Sequence, residues 1–367
     1  MTAPTARRVA GPPPVNDVPV GNGAPAGTVR AVAVGRRRRA ARRRLVVLVL
    51  AVLVVAAFAA SLMFGRTYYP PGEVLRVIAG ERVPGASFTV GRLRLPRAVL
   101  AVTAGLSFGL AGVTFQTMLR NPLASPDIIG ISAGASAAAA IAIVTLSLGG
   151  TAVSVLAIAA GLGVALLVYG LAFRDGVVGT RLILIGIGIS AMLDSVTSYV
   201  LSRAAEWDLA EAMRWLTGSL NGARWNETVP ALVALAVLAP VLLSRARDLD
   251  ALRLGDDTAA ALGVRVERVR LTLIVAAVGL IAFATAATGP IAFVAFLSGP
   301  IAARLVGPGA STLLPAGLVG ALLVLAADFV GQFAFDHRYP VGVVTGVLGA
   351  PYLIYLIVRT HRAGGST

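Results

Sequence analysis

The sequence contains no lysine and no cysteine, only two histidines (His337 and His361), and few charges: 13% of its 367 residues. Each shortage removes a class of chemistry. Without Lys there is no Walker A phosphate loop and no Schiff base. Without Cys there are no disulfides, iron–sulfur clusters or thiolate zinc sites. Two histidines near the C-terminal end do not suit a histidine-rich metal or haem site inside the bilayer, so no metal or cofactor is expected. The charged fraction is about half that of a soluble globular domain, too little to coat two soluble domains of this total length. What the chain has instead is 57% hydrophobic residues and a mean hydropathy of +0.84. That composition is expected of an all-α integral membrane protein.

The net charge of +15 is unevenly spread. Residues 1–44 carry ten Arg and one Asp, and the remaining 323 residues carry 22 Arg against 16 acids. The excess lies in Arg36 to Arg39 and Arg42 to Arg44. This run has no aromatic or groove-reading partners, so no nucleic acid is expected. It abuts an apolar stretch, which makes it a positive-inside anchor beside anionic lipid. Residues 1–44, rich in Pro, Gly, Ala, Val and Arg without periodicity, are expected to be a disordered cytoplasmic tail.

Leu45 to Phe64 is long enough for an uncleaved first span. Further apolar blocks lie near 97–118, 127–148, 151–172, 181–202, 228–244, 270–287, 291–306, 312–333 and 341–358, giving about ten transmembrane helices. The expected transmembrane domain covers 45–360, with a short cytoplasmic tail at 361–367. An even count puts both termini on one side of the cell inner membrane, and the Arg cluster makes that side cytoplasmic. Most loop Arg, among them Arg120, Arg174, Arg245, Arg253 and Arg304, then fall inside. Arg92, Arg94, Arg97, Arg203, Arg214, Arg224 and Arg338 fall outside, against the trend.

Asn121-Pro122-Leu123-Ala124 followed by Ser132-Ala133-Gly134 is echoed by Gly289-Pro290-Ile291-Ala292 and Ser298-Gly299-Pro300. One set begins inside and the other outside, the pattern of an inverted internal repeat with broken helices along a central path. The longest inner loop, 244–270, holds a run of small residues after Asp256 and Asp257. These acids suit a helix N-terminus, and Gly263 suits its end. A compact helix facing the cytoplasm is expected there.

Gly255-Asp256-x-x-Ala259-x-x-Leu262-Gly263, with Asp257 and Ala260, resembles the coupling loop of ABC importer permeases. Three more segments resemble the FecCD-type branch importing ferric siderophores, haem and vitamin B12: Arg94-Leu95-Pro96-Arg97, the run from Gln116 and Arg120-Asn121-Pro122-Leu123-Ala124 to Gly134, and Pro340 to Tyr352. Trp215 to Gly222, and the absence of a Pro-His pair near Ser298-Gly299-Pro300, look more like the ferric-siderophore members. The resemblance implies an ATPase subunit docked on the coupling helix and an extracytoplasmic binding protein delivering ferric siderophore. It also implies a second permease, either another copy or a related chain. It places binding-protein contacts at Arg94 and Arg97, with Arg92 and Arg338 beside them.

Two acids fall within spans. Asp328 is expected to make a structural bond. Asp194 shares the fifth span with Gly186, Gly188, Ser190 and Thr197, a small and polar set suited to a translocation path, though small residues also serve close helix packing. The alternatives are a haem or vitamin B12 permease, a proton-coupled secondary transporter using Asp194 and Asp328, and a membrane scaffold.

Overall fold

A computed structural model describes residues 26–172, 179–309 and 311–364. Residues 1–25 and 365–367 of the expected tails, and Arg174, lie outside the described residues. Every regular element among them is helical. Helix α1 (Ala26–Met63) is followed by α2 (Pro71–Ile78), α3 (Ala86–Phe88) and a π-helical turn (Thr89–Arg94) that runs into α4 (Leu95–Met118). A 3-10 turn (Pro126–Ile129) leads to α5 (Ile131–Val144), α6 (Thr151–Ala172), α7 (Gly179–Ser202) and α8 (Glu206–Leu216). Next come α9 (Trp225–Ser244), α10 (Ala246–Leu252), α11 (Asp256–Ala261) and α12 (Val266–Thr288). The last helices are α13 (Val294–Val306), α14 (Leu313–Phe333) and α15 (Val341–Gly364). Seven helical stretches among the described residues are long and apolar enough to cross a bilayer. Three others, Ile131–Val144, Val294–Val306 and Val341–Tyr355, are apolar but shorter.

Two expectations need correction. The patternless tail does not extend to residue 44, because residues 26–44 are helical and continuous with α1. Ala and Arg are both strong helix formers, and Arg42 ties this part of α1 to the molecule. Its guanidinium donates to the carbonyls of Leu305 at 3.1 Å and Arg304 at 3.4 Å. Those carbonyls end α13, where no intrahelical donor reaches them. In the same way α15 continues to Gly364, into the expected tail at 361–367.

The blocks at 127–148 and 291–306 are also less regular than expected. Asp127 is held in a separate turn: its N–H is capped by the Ser125 hydroxyl and its carboxylate accepts from Ser132 at 2.5 Å. Gly130 then turns the chain at φ 82, so α5 starts only at Ile131. Before α13, Gly289 and Phe293 both have positive φ. At 1.5 Å per residue α5 and α13 span roughly 20 Å, short of a ~30 Å hydrocarbon core.

The centre of the molecule is α4, which is buried along almost its whole length. It runs antiparallel to α14, and glycines make the close approach possible. A Cβ on Gly105 would lie 2.5 Å from the Ala321 Cα, and one on Gly109 or Gly112 would overlap the carbonyl oxygen of Ala316 or Ala295. Gly105, Gly109 and Gly112 recur at helical spacing, so one edge of α4 is bare backbone. Gln116 extends that edge, its amide donating to the Phe296 carbonyl at 2.9 Å. By contrast α7 is mostly uncovered, with Leu184, Ile187, Met192 and Tyr199 all exposed.

Candidate functional site

Polar side chains gather at the two ends of this helical core. At one end α10 and α11 form a small cap. Gly255 at φ 104 and Gly263 at φ 88 turn the chain sharply on either side of α11, a backbone shape other residues rarely adopt. Ala259 is fully buried, whereas Asp257, Ala260 and Gly263 are exposed, and Leu262 keeps 64% of its surface exposed. Leu254, just before Gly255, is equally bare at 62%. The sequence reading had passed over Leu254. Its signal is a large apolar residue beside a polar loop, which becomes informative only once exposure is known.

The cap is tied to three helices. Asp256 accepts from Arg270 of α12 at 2.9 Å. Arg253 donates to Thr312, at the start of α14, at 2.9 Å and to Thr117, near the end of α4, at 3.4 Å. Burial pushes the Asp250 carboxyl of α10 upward in pKa, opposed by Arg253, by a hydrogen bond with Ser311 and by Arg43 of α1. Short polar links therefore join this cap to α4, α12 and α14. Beside the cap lies a 360 Å³ cleft bounded by Gln116, Arg120, Arg253, Pro300 and Thr312. Arg120 holds a left-handed backbone at φ 52, at the point where α4 ends and the Asn121-Pro122 segment begins.

At the opposite end a 620 Å³ cleft is lined by Arg66, Arg94, Arg97 and Arg338, together with Asn221 and Gln332. The four cations are not equivalent. Arg97 makes a two-pronged ion pair with Asp328: Nη2 lies 2.7 Å from Oδ1 and Nε 2.9 Å from Oδ2. Its Nη1 donates to Asn221 at 2.7 Å, and Gln332 donates to the remaining side of Asp328 at 2.7 Å. Arg94 donates to the carbonyls of Leu62, Met63 and Thr67 at 2.7–3.0 Å, closing the turn after α1. Arg66 and Arg338 are exposed at the mouth of the cleft. Arg92 lies in the π-turn and is also exposed. Arg66 escaped the sequence reading because it directly follows the first apolar block, where a cation reads as a span boundary.

The segment Thr217 to Asn221 caps this end. The Ser219 amide donates to the Thr288 carbonyl at 2.7 Å, and the Gly342 amide donates to the Gly218 carbonyl at 3.0 Å. The ends of α8 and α12 and the start of α15 are thereby stitched together.

The candidate path residues on α7 divide between two faces. Gly186 and Thr197 are buried, and the Thr197 hydroxyl donates to its own helix at Leu193. The Ser190 hydroxyl is buried and has no hydrogen-bond partner among the described residues. It faces Gly130 in the turn before α5. Gly188 and Asp194 are exposed. Helical spacing accounts for Gly188, which lies opposite the stripe of 186, 190 and 197, whereas Asp194 falls at the edge of that stripe and is exposed there.

The molecule thus has a polar cap at one end, an arginine-lined cleft at the other and a glycine-laced core of apolar helices between them. The model of the FecCD transport family matches residues 52–359, and the chain belongs to that family. It is 40% identical to the ferric enterobactin transport system permease protein FepG of Escherichia coli (strain K12), over 82% of this chain and 92% of FepG. It is also 40% identical to the achromobactin transport system permease protein CbrC of Dickeya dadantii (strain 3937), over 83% of this chain and 88% of that protein. Among solved structures, a chain from an inward-facing metal-chelate type ABC transporter superposes with a TM-score of 0.77 at 27% identity, covering 86% of this chain and 99% of its own.

Proposed function

We propose that this chain is the permease subunit of an ABC importer that moves a ferric siderophore across the cytoplasmic membrane. The observation that carries this reading is the α10–α11 cap: α11 is a small, largely exposed helix turned by a glycine at each end and bonded to α12 through Asp256, and Arg253 just before it bonds to α4 and α14. A secondary transporter has no use for such a docking element. An importer driven by a separate ATPase needs one, together with a link from it to the path. The names of FepG and CbrC support a ferric siderophore as the solute.

In this reading the seven long and three shorter apolar helices are ten spans. α5 and α13 are the broken members of two inverted halves, and the Arg-rich start of α1 and the α11 cap face the cytoplasm. Gly255, Asp256, Asp257, Ala259, Ala260, Leu262 and Gly263 form the ATPase contact. Leu254 adds a second apolar anchor. The exposed face of α7, with Gly188 and Asp194, faces a second permease across the path, and Gly186, Ser190 and Thr197 hold α7 to its own subunit. ATP hydrolysis belongs to the partner chain.

Ala260→Arg puts a bulky cation at the exposed centre of α11. The expected result is loss of ATPase co-purification and of uptake, with membrane insertion retained. Co-purification at the wild-type level would sink the assignment.

The opposite cleft is the seat for an extracytoplasmic binding protein. Arg92, Arg94, Arg97 and Arg338 belong to it, with Arg94 and Arg97 shaping its floor through internal bonds. Arg66 and Arg338 supply cations to carboxylates on the partner. Exposed ion pairs contribute ~0.2–1 kcal/mol each and weaken with salt. Arg66→Glu with Arg338→Glu is therefore expected to weaken binding-protein affinity by roughly tenfold at low salt, with a smaller loss at high salt. An unchanged affinity at low salt would remove these two residues from the contact.

A further inference from the structure

Just below its Arg cluster, one side of α1 is uncovered, with Leu48 62% exposed. A recess of 710 Å³ opens there between α1 and the start of α14. Its stem is apolar, formed by Val47, Leu48 and Ala51 of α1 and by Leu314 of α14, and one end carries Arg43 and Arg44. Residues 44, 47, 48 and 51 fall on one stripe of the helix. The stem therefore leads away from the two guanidinium groups for up to ~12 Å along the axis. An almost wholly apolar recess of 560 Å³ lies nearby, between α1 and α13 and α14, and includes Leu45, Leu53, Leu305 and Leu322.

Within hydrocarbon such a recess is not left empty, because its lining would lose dispersion contacts on one side. Water finds no polar partners along the stem. An acyl chain meets both conditions. The charge at the end points to what the chain is attached to. Helix α1 contains no acidic residue, and Arg42 is already engaged by the carbonyls of Arg304 and Leu305. Asp250 pairs with Arg253 at 3.8 Å, and Arg43 is the smallest of the influences on its carboxyl, leaving Arg43 and Arg44 in surplus.

We propose that the groove between α1 and α14 is a discrete site for one anionic phospholipid, with an acyl chain along Val47, Leu48, Ala51 and Leu314 and the phosphate on Arg43 and Arg44. A zwitterionic lipid offers the same phosphate but adds a cation that the surrounding arginines repel. The site differs from general attraction of a basic segment to an anionic surface, since it needs the groove as well as the charges.

The test is native mass spectrometry of the full-length protein in detergent, titrated with phosphatidylglycerol or with phosphatidylcholine of the same acyl chains. Wild type is expected to retain one phosphatidylglycerol in preference to phosphatidylcholine. Removing both cations in Arg43→Gln, Arg44→Gln should weaken that retention roughly thirtyfold. Ala51→Phe fills the stem, leaves every arginine in place and should abolish the bound lipid. Leu48→Trp, on the more open side, provides the same block should Ala51→Phe fail to fold. Equal retention of the two lipids would overturn the proposal. So would wild-type retention by the folded blocking variant, the result of diffuse surface attraction alone, or a dimer in which a second copy takes the place of the lipid. The measurement involves no transport, so its failure leaves the importer reading untouched.

Discussion

Asp328→Leu is expected to destabilise the protein by about 3–5 kcal/mol, the usual cost of removing one partner from a buried ion pair. The side chains of Arg97 and Asp328 are only 16% and 7% exposed. Once the carboxylate is gone, the Arg97 Nε and Nη2 donors face Gln332 and apolar neighbours, and only Asn221 remains as an acceptor. Much of the loss is the penalty of a stranded cation, so it should be reversible by removing that cation too. The double variant Arg97→Met, Asp328→Leu is expected to recover most of the lost stability, because well-packed apolar residues often replace a buried pair at little cost. Thermal unfolding of the purified protein in detergent checks both. A double variant as unstable as the single one would show that the pair's charges are not what holds α4 to α14 here.

Gly112→Val is expected to prevent normal packing of the core outright. Even a single Cβ at this position would overlap the Ala295 carbonyl oxygen, and backbone cannot swing aside as the end of a flexible side chain can. Overpacking a well-fitted core typically costs 1–3 kcal/mol, and Val adds two methyl groups beyond that first carbon. The matched control is Gly163→Ala on α6, where nothing lies within 4 Å of the added Cβ. That change should be neutral or slightly stabilising, since Ala favours the helix. Yield of monodisperse protein and unfolding temperature report the contrast. Equal behaviour of the two variants would mean that α4 and α13 do not approach as closely as described.

Both predictions rest on pairs of residues far apart in the chain. Arg94 and Arg97 stand out in the sequence as cations on the unexpected side, and the family resemblance makes them candidates for contact with a binding protein. Their donors are in fact largely spent inside the molecule, on Asp328, Asn221 and the turn after α1. A sequence shows that a cation breaks a topological trend. It does not show which acceptor lies across the fold from it. Asp328 was legible in the other direction: an acid within an apolar run must be compensated, although its partner could not be named. The α7 set was legible as small and polar, yet the turn of the helix divides it.

The α11 cap was almost wholly readable, because its determinants are local. Asp256, Asp257, Ala259 and Gly263 act on their own neighbours through caps, dipole and turn geometry. The same holds for the membrane class, which follows from composition, and for the approximate position of each apolar helix, which follows from runs of residues within one element. The helix starts at Ile131 and Val294 were less readable, since a positive-φ residue before each shifts an end without changing the hydrophobic pattern. By itself, then, the sequence determined the class of protein, the order of its apolar helices and the short helix between Gly255 and Gly263, all consequences of short-range chemistry along the chain. Only the tertiary structure decided that a bare glycine edge of α4 meets α13 and α14, that Arg97 pairs with Asp328, and that Arg66 and Arg338 rather than Arg94 and Arg97 hold exposed charge at the cleft. Those pairings depend on which surfaces fit when the helices pack, and packing is a property of two distant segments together, encoded in neither alone.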